Sequence, residues 1–179
     1  MGIFRALLNH LALLVSLGVL QSLIVRRLPA GRGSRDILSG ILFGAVAVLG
    51  ILSPVHVGGA IYDGRSIVLS LAGIFGGPWA SLIAVIMAAA ARVFVGGPGM
   101  YVGLAVIAES ALLGLAYRRL WVRAGVWRRI PALWVFSLLV HGVMVLTQCA
   151  LPADMRWNVV SQIWAPVLLL YPPVFVLLA

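Results

Sequence analysis

The chain has 179 residues, of which 63% are hydrophobic and only 9% charged, and its mean hydropathy is +1.15. A water-soluble domain carries about 25% charged residues, so too little polar surface is present to cover a globule in water, and the continuous apolar runs exclude the alternation of a membrane β-barrel. The formal net charge is +9 and all 13 basic residues are arginine; nine of them cluster in segments 26–35 and 118–129, which marks cytoplasmic loops and contact with anionic lipid rather than nucleic-acid binding.

The composition therefore predicts an all-α integral membrane protein, a single domain over residues 1–179. Residues 4–25 are long enough to span, with Arg26 and Arg27 stopping the segment on the cytoplasmic side and the N-terminus outside. The run is too long for a cleavable signal peptide, and no small-x-small site follows it. After a polar loop, residues 37–52 span outward, with Gly40 and Gly44 spaced for close helix packing. Residues 53–63 read as an external loop. The apolar stretch that follows is broken at Gly76-Gly77-Pro78. Its first part, residues 66–75, reaches only about 15 Å, half a hydrocarbon core. Its second part, residues 79–95, nearly spans. Arg118 is expected inside and residues 101–117 form one span, so Gly96 to Gly99 and Arg65 are expected outside. Residues 66–95 must then enter and return, as a short or re-entrant helix, a break and a returning helix.

Residues 118–129 form the second cytoplasmic loop, with Trp121 and Trp127 as interfacial anchors. Residues 131–149 span outward, 151–157 form a short outer loop, and 159–178 return, interrupted by Pro166, Pro172 and Pro173. The expected architecture is six membrane segments with a broken or re-entrant helix at Gly76-Gly77-Pro78.

Arg92 is the residue least at home in this pattern. A guanidinium inside an apolar run costs roughly 2.5–3.5 kcal/mol at a bilayer centre, and such groups line polar cavities and have partners. Arg65 heads the same stretch. Arginine holds a carboxylate through two parallel hydrogen bonds, and the start of the helix at Ser66 adds unpaired N–H groups. Two arginines so placed suit a small anion. Tyr62, Asp63 and Tyr101 border the same outer level, as do Gln148, Asn158 and Gln162 near the ends of the last two spans. These eight residues are the candidate ligand set, with Asp63 orienting Arg65 and with Trp157 and Trp164 available to cover the site. Gly76, Gly77, Pro78, Gly96 and Gly97 are candidate hinges. The competing reading is structural: Arg92 pairs with Glu109, and Arg65 with Asp63.

Glu109 is the one acid well inside a span and suits an ion pair or polar packing contact better than a proton relay. His141 reads as a hydrogen-bonded interhelical histidine. His10, His56 and His141 lack zinc spacing, and the single cysteine, Cys149, excludes an internal disulfide and reads as a small apolar core residue. No nucleophilic triad, Walker sequence or cofactor motif occurs. No metal site, no cofactor and no catalytic residue is therefore expected.

Tyr62-Asp63-Gly64-Arg65, then Ala72-Gly73-Ile74-Phe75-Gly76-Gly77-Pro78, then Arg92 and Gly96-Gly97, resemble the 5TM receptor domain of the LytS–YhcK type, over roughly residues 37–117. The resemblance implies a multi-pass sensor of the bacterial inner membrane, a homodimer, preceding a cytoplasmic histidine kinase or diguanylate cyclase. It implies small carboxylates such as pyruvate as ligands, with Arg65 and Arg92 as anchors. This chain departs where small polar or thiol residues are expected after Gly97: Gly103, Val106 and Ala108 stand there. The chain ends at Ala179, so any output domain is expected to lie outside it or on another chain. The fold is similar to the vitamin-binding S components of energy-coupling uptake systems, and a substrate-binding transporter subunit is the alternative function. An intramembrane enzyme using Glu109 or His141 is a weaker third reading.

Overall fold

The computed structural model describes residues 2–27, 33–53, 55–57, 60–62, 64–122 and 130–179, with the backbone alone for 2–13, 55–57, 60–62 and 121–122. Helices α1 (Gly2–Arg27) and α2 (Gly33–Leu52) come first, then a two-stranded antiparallel hairpin, β1 (Val55–Val57) and β2 (Ala60–Tyr62). Helix α3 (Arg65–Leu71) passes through a π-helical turn (Ala72–Gly76) into α4 (Gly77–Val95). Helix α5 (Met100–Tyr117) ends in a second π-helical turn (Arg118–Val122). Helix α6 (Ile130–Thr147), a 3₁₀ turn (Gln148–Ala150) and α7 (Ala153–Leu178) complete the chain.

Among the described residues, five helical stretches are long and apolar enough to cross a membrane: Gly33–Leu52, Arg65–Val95, Met100–Leu120, Ile130–Ala150 and Ala153–Leu178. Large apolar side chains stand exposed on their outer faces, including Leu82, Ile86 and Val93 on α4 and Leu169, Leu170 and Leu177 on α7. Water does not tolerate such a surface, whereas acyl chains solvate it. The protein is a helical membrane protein.

Lipid supplies no hydrophobic force between helices, so small residues that let backbones approach carry the packing. The spacing of Gly40 and Gly44 does this on α2, whose contact with α4 is the most extensive in the bundle. A Cβ on Gly40 would lie 2.8 Å from the Ile83 Cβ, and one on Gly44 would lie 2.5 Å from the Met87 sulfur. From the other side, Ala80, Ala84 and Ala88 are fully buried one turn apart. The α3–α5 contact is as close. A Cβ on Gly114 would run into the Ser70 carbonyl oxygen, and one on Gly73 would lie 2.7 Å from the Leu115 nitrogen. Tyr117, Phe136 and Phe175 join α5, α6 and α7 through rings 4.4 and 5.6 Å apart.

The hairpin falls inside residues 53–63, where the sequence predicts an irregular external loop. Its strands pack on α1 and α7. The next residue described, Gly64, sits 3.6 Å from Leu14 as measured from an added Cβ. Leu14 is at the middle of the 26-residue α1, so Arg65 starts at mid-depth of the bundle rather than at its surface. From there α3 runs to the end of the bundle that carries Arg118. At Gly77 the backbone turns, with φ 84° and ψ −171°, a conformation that costs glycine alone no steric penalty. Pro78 then opens α4 in the first turn, where a missing N–H is harmless.

Helix α7 differs from its expectation. It begins at Ala153, inside the predicted outer loop, and continues unbroken through Pro166, Pro172 and Pro173. Proline ends helices in water but is tolerated inside membrane helices, where neighbouring groups satisfy the freed carbonyls.

The α3–α5 contact generates a prediction. Gly114→Leu forces a side chain into the Ser70 backbone and is expected to destabilise the protein by about 1–3 kcal/mol. Leu112→Ala, on the exposed face of the same helix, is expected to change little. Thermal unfolding in detergent compares the two.

Candidate functional site

The register between α3 and α5 places the polar side chains. Arg118 Nη1 donates to the Ile74 carbonyl at 2.6 Å, a sequence offset of 44. The Ser70–Gly114 contact has the same offset, 114 − 70 = 44. Extending it one turn sets Ser66 level with Ser110 (66 + 44 = 110) and Arg65 level with Glu109. Ser66 and Ser110 are fully buried. Their hydroxyl oxygens, Glu109 Oε1 and His141 Nε2 are buried with no hydrogen-bond partner among the described residues. Buried polar atoms are ordinarily paired; the Ser66, Ser110 and Glu109 orphans gather at one level of α3 and α5, and His141 lies six residues, about 9 Å along α6, from Thr147, which meets Glu109.

Other polar groups nearby are occupied. Thr147 Oγ1 on α6 donates to Glu109 Oε2 at 2.5 Å and to the Val143 carbonyl at 2.9 Å. Ser70 donates to the Ser66 carbonyl at 2.6 Å. His141 is buried, with its Nδ1 2.7 Å from the Ser137 carbonyl oxygen, and its ring meets Tyr171 edge-on at 5.2 Å. Glu109 is thus tied to a hydroxyl on the facing helix.

Arg92 lies nearer the Gly96–Gly99 turn. Its Nη1 donates to the Gly96 carbonyl at 2.6 Å, satisfying an acceptor at the end of α4. Its side chain lies across Gly103 of α5: a Cβ there would collide with Nε and stand 3.0 Å from Cδ. This explains the glycine where a polar or thiol side chain was expected, because the guanidinium stem fills that volume. Gly103 is six residues from Glu109, so Arg92 sits about 9 Å along the axis of α5 from the level of Arg65. Helices α3 and α4 both pack on α5, so the two arginines approach one helix from two neighbours. Both have further interactions.

The remaining candidates divide. Gln148 is half-buried, its amide donating to the Met144 carbonyl at 3.3 Å. Gln162 donates to the Asn158 side-chain oxygen at 2.7 Å along the exposed side of α7. Tyr101 is 77% exposed and Trp157 71%, so both face away from the bundle, as does Trp164. The Tyr62 side chain and all of Asp63 lie outside the described residues. Cys149 is exposed rather than in the core, because the 3₁₀ turn rotates it outward. Of the predicted hinges, Gly77, Gly96 and Gly97 adopt positive φ. Gly76 stays helical at φ −80° and is needed for space, an added Cβ lying 2.6 Å from that of Ala80. No cluster of three metal-ligating side chains occurs among the described residues. Sequence reasoning missed Ser66, Ser110 and Thr147, since single hydroxyls in apolar helices are unremarkable until a register aligns them.

The fold defines a polytopic helical membrane domain with a buried polar level between α3 and α5. The family model described as 5TMR of 5TMR-LYT matches residues 17–179, and the chain belongs to that family. It is a family of transmembrane sensor domains of signalling receptors, not catalytic by themselves. No curated protein and no solved structure matches the chain.

Thr147→Val leaves a second Glu109 oxygen without a donor and is expected to cost about 1–3 kcal/mol. Adding Glu109→Leu removes both partners and is expected to recover most of that loss. Unfolding measurements on the two single variants and the double variant form the cycle that checks it.

Proposed function

We propose that this domain senses a small anionic metabolite, such as a carboxylate, from outside the inner membrane of a bacterium. Arg65 and Arg92 anchor the anion from two sides of α5. Ser66 and Ser110 offer hydroxyl donors at the Arg65 level. The observation that carries the reading is the set of orphaned polar atoms of Ser66, Ser110 and Glu109 between α3 and α5, level with one arginine and about 9 Å from the other. A carboxylate accepts several donors at once and strengthens in a site shielded from water. Tyr62, Asp63, Gln148, Asn158 and Gln162 contribute, in this reading, to the path from the outer surface. Tyr101 is the least supported of the set because it faces outward.

Signalling requires the ligand to bind one conformation better than another. The Gly96 carbonyl held by Arg92 supplies a means: an anion that draws the guanidinium inward releases the 96–99 turn. The positive-φ glycines at 77, 96 and 97 accommodate the shift, and α7 carries it onward. In this reading α3 and α4 are separate membrane elements hinged at Gly77, giving six segments with a re-entrant start. The N-terminus is outside, the arginine loops are cytoplasmic, and the receptor is a homodimer coupled to a kinase or cyclase output domain.

The test is a thermal-shift screen of the purified protein against small mono- and dicarboxylates. The expected result is stabilisation by at least one of them. Arg65→Ala and Arg92→Ala are each expected to weaken apparent affinity roughly 30-fold or more, as truncation of one member of a buried charge pair does. Arg35→Ala, at the opposite end, serves as control. Equal stabilisation of all three variants sinks the reading.

A further inference from the structure

A cavity of about 730 Å³ opens at the other end of the bundle, where α1, α2, α3, α6, α7 and the two π-helical turns converge. That volume lies within the roughly 300–1,000 Å³ of small-molecule pockets. Its body is apolar, formed by side chains such as Leu14, Leu17, Leu71, Ile74, Leu133 and Val176. Two guanidinium-bearing side chains, Arg35 and Arg118, also line it. Arg118 uses Nη1 on the Ile74 carbonyl. Arg35 makes no hydrogen bond or ion pair with the described residues.

The third polar element is Gln21. It lines the cavity from α1, is only 8% exposed, and has both amide atoms buried without a hydrogen-bond partner among the described residues. An amide buried with both its donor and its acceptor unused is costly, and its N–H groups point to an absent partner that offers an acceptor oxygen. Gln21 stands six residues before Arg27, the last residue of α1, which is about 9 Å along the axis. The polar zone of a leaflet is on the order of 5–8 Å deep. With the arginines at headgroup level, the amide lies just beneath, and Leu17 and Leu14 lie deeper. Two of the lining side chains, Val25 and Ile130, are exposed and apolar, so part of the cavity's wall is open to acyl chains of the surrounding bilayer.

We propose that this cavity seats one anionic lipid of the bilayer. Its phosphate lies between Arg35 and Arg118, an ester oxygen of its glycerol region accepts from Gln21 Nε2, and an acyl chain fills the apolar body. Charge complementarity selects the anionic headgroup, and the mainly apolar lining disfavours a free polar metabolite. The seat contacts Val176, Leu178 and Ala179 at the end of α7 and Ile74 and Phe75 beside the Gly77 turn. An occupant there braces the two elements against each other.

The test uses the full chain, delipidated in detergent. Native mass spectrometry follows titration with a phosphatidylglycerol, a phosphatidylcholine of the same acyl chains, or glycerol phosphate. One phosphatidylglycerol per chain is expected, favoured about tenfold over phosphatidylcholine, with glycerol phosphate unable to displace it. Gln21→Leu and Arg35→Gln are each expected to reduce that preference several-fold. Gly18→Leu, which fills the cavity wall where an added Cβ has Leu178 as its nearest neighbour at 3.8 Å, is expected to reduce occupancy by both lipids. Gln21→Leu replaces an unpartnered amide by an apolar side chain, and unfolding temperatures without lipid report its folding; Arg35→Gln stands as the independent variant. Equal retention of the two phospholipids, an unchanged preference in both polar variants, or displacement by glycerol phosphate overturns the proposal.

Discussion

The backbone of Ser70 lies against the place where Gly114 has no side chain. The alignment of Ser66 and Arg65 with Ser110 and Glu109 depends on that approach. The contact brings α3 onto α5 at a spacing no larger residue permits, and it fixes which residues face each other. Because Arg118 holds the Ile74 carbonyl with the same offset, the register is set at two points one turn apart. A slip of one residue would rotate Ser66 and Arg65 away from Ser110 and Glu109.

A membrane protein gains little from burying apolar groups, since lipid is as apolar as its core. Close packing of small residues and satisfied backbone groups carry the stability instead. The α2–α4 contact through Gly40, Gly44 and the alanines at 80, 84 and 88 follows that rule, as do the proline-bearing turns of α7. Against this background, unsatisfied buried polar atoms carry information. Among the described residues they include Ser66, Ser110 and Glu109 at one level of α3 and α5, His141 further along α6, and the Gln21 amide. The level between α3 and α5 suits recognition of an anion in a sensor domain and the amide suits the bilayer's own lipids.

The membrane class, a close-packing face at Gly40 and Gly44, and a change of backbone conformation at Gly77 were legible because each is written in local residue types: hydropathy, GxxxG spacing, Gly-Gly-Pro; that α4 is the helix packed on that face was not. The family resemblance rested on ordered motifs of the same kind, and the family match extends it to residues 17–179. The candidate site was legible only in part. Arg92 stood out because a charge in an apolar run demands an explanation. Tyr101 was read as a border residue by its position near the outer turn, yet the face it occupies on α5 points outward. Arg65 was placed at the surface because the preceding residues looked like an external loop. The hairpin instead carries the chain down to the level of Leu14.

Sequence by itself determined the solvent this chain lives in and the approximate extent of most of its helices, and it singled out two arginines set among apolar residues. Those follow from composition and spacing along a single segment. Tertiary structure alone decided which buried groups share a level, why Gly103 must stay bare beneath Arg92, and that Gln21 faces a cavity. Each of these depends on the rotation and register of one helix against another. That geometry is set by close contacts between residues dozens of positions apart, and no local pattern encodes it.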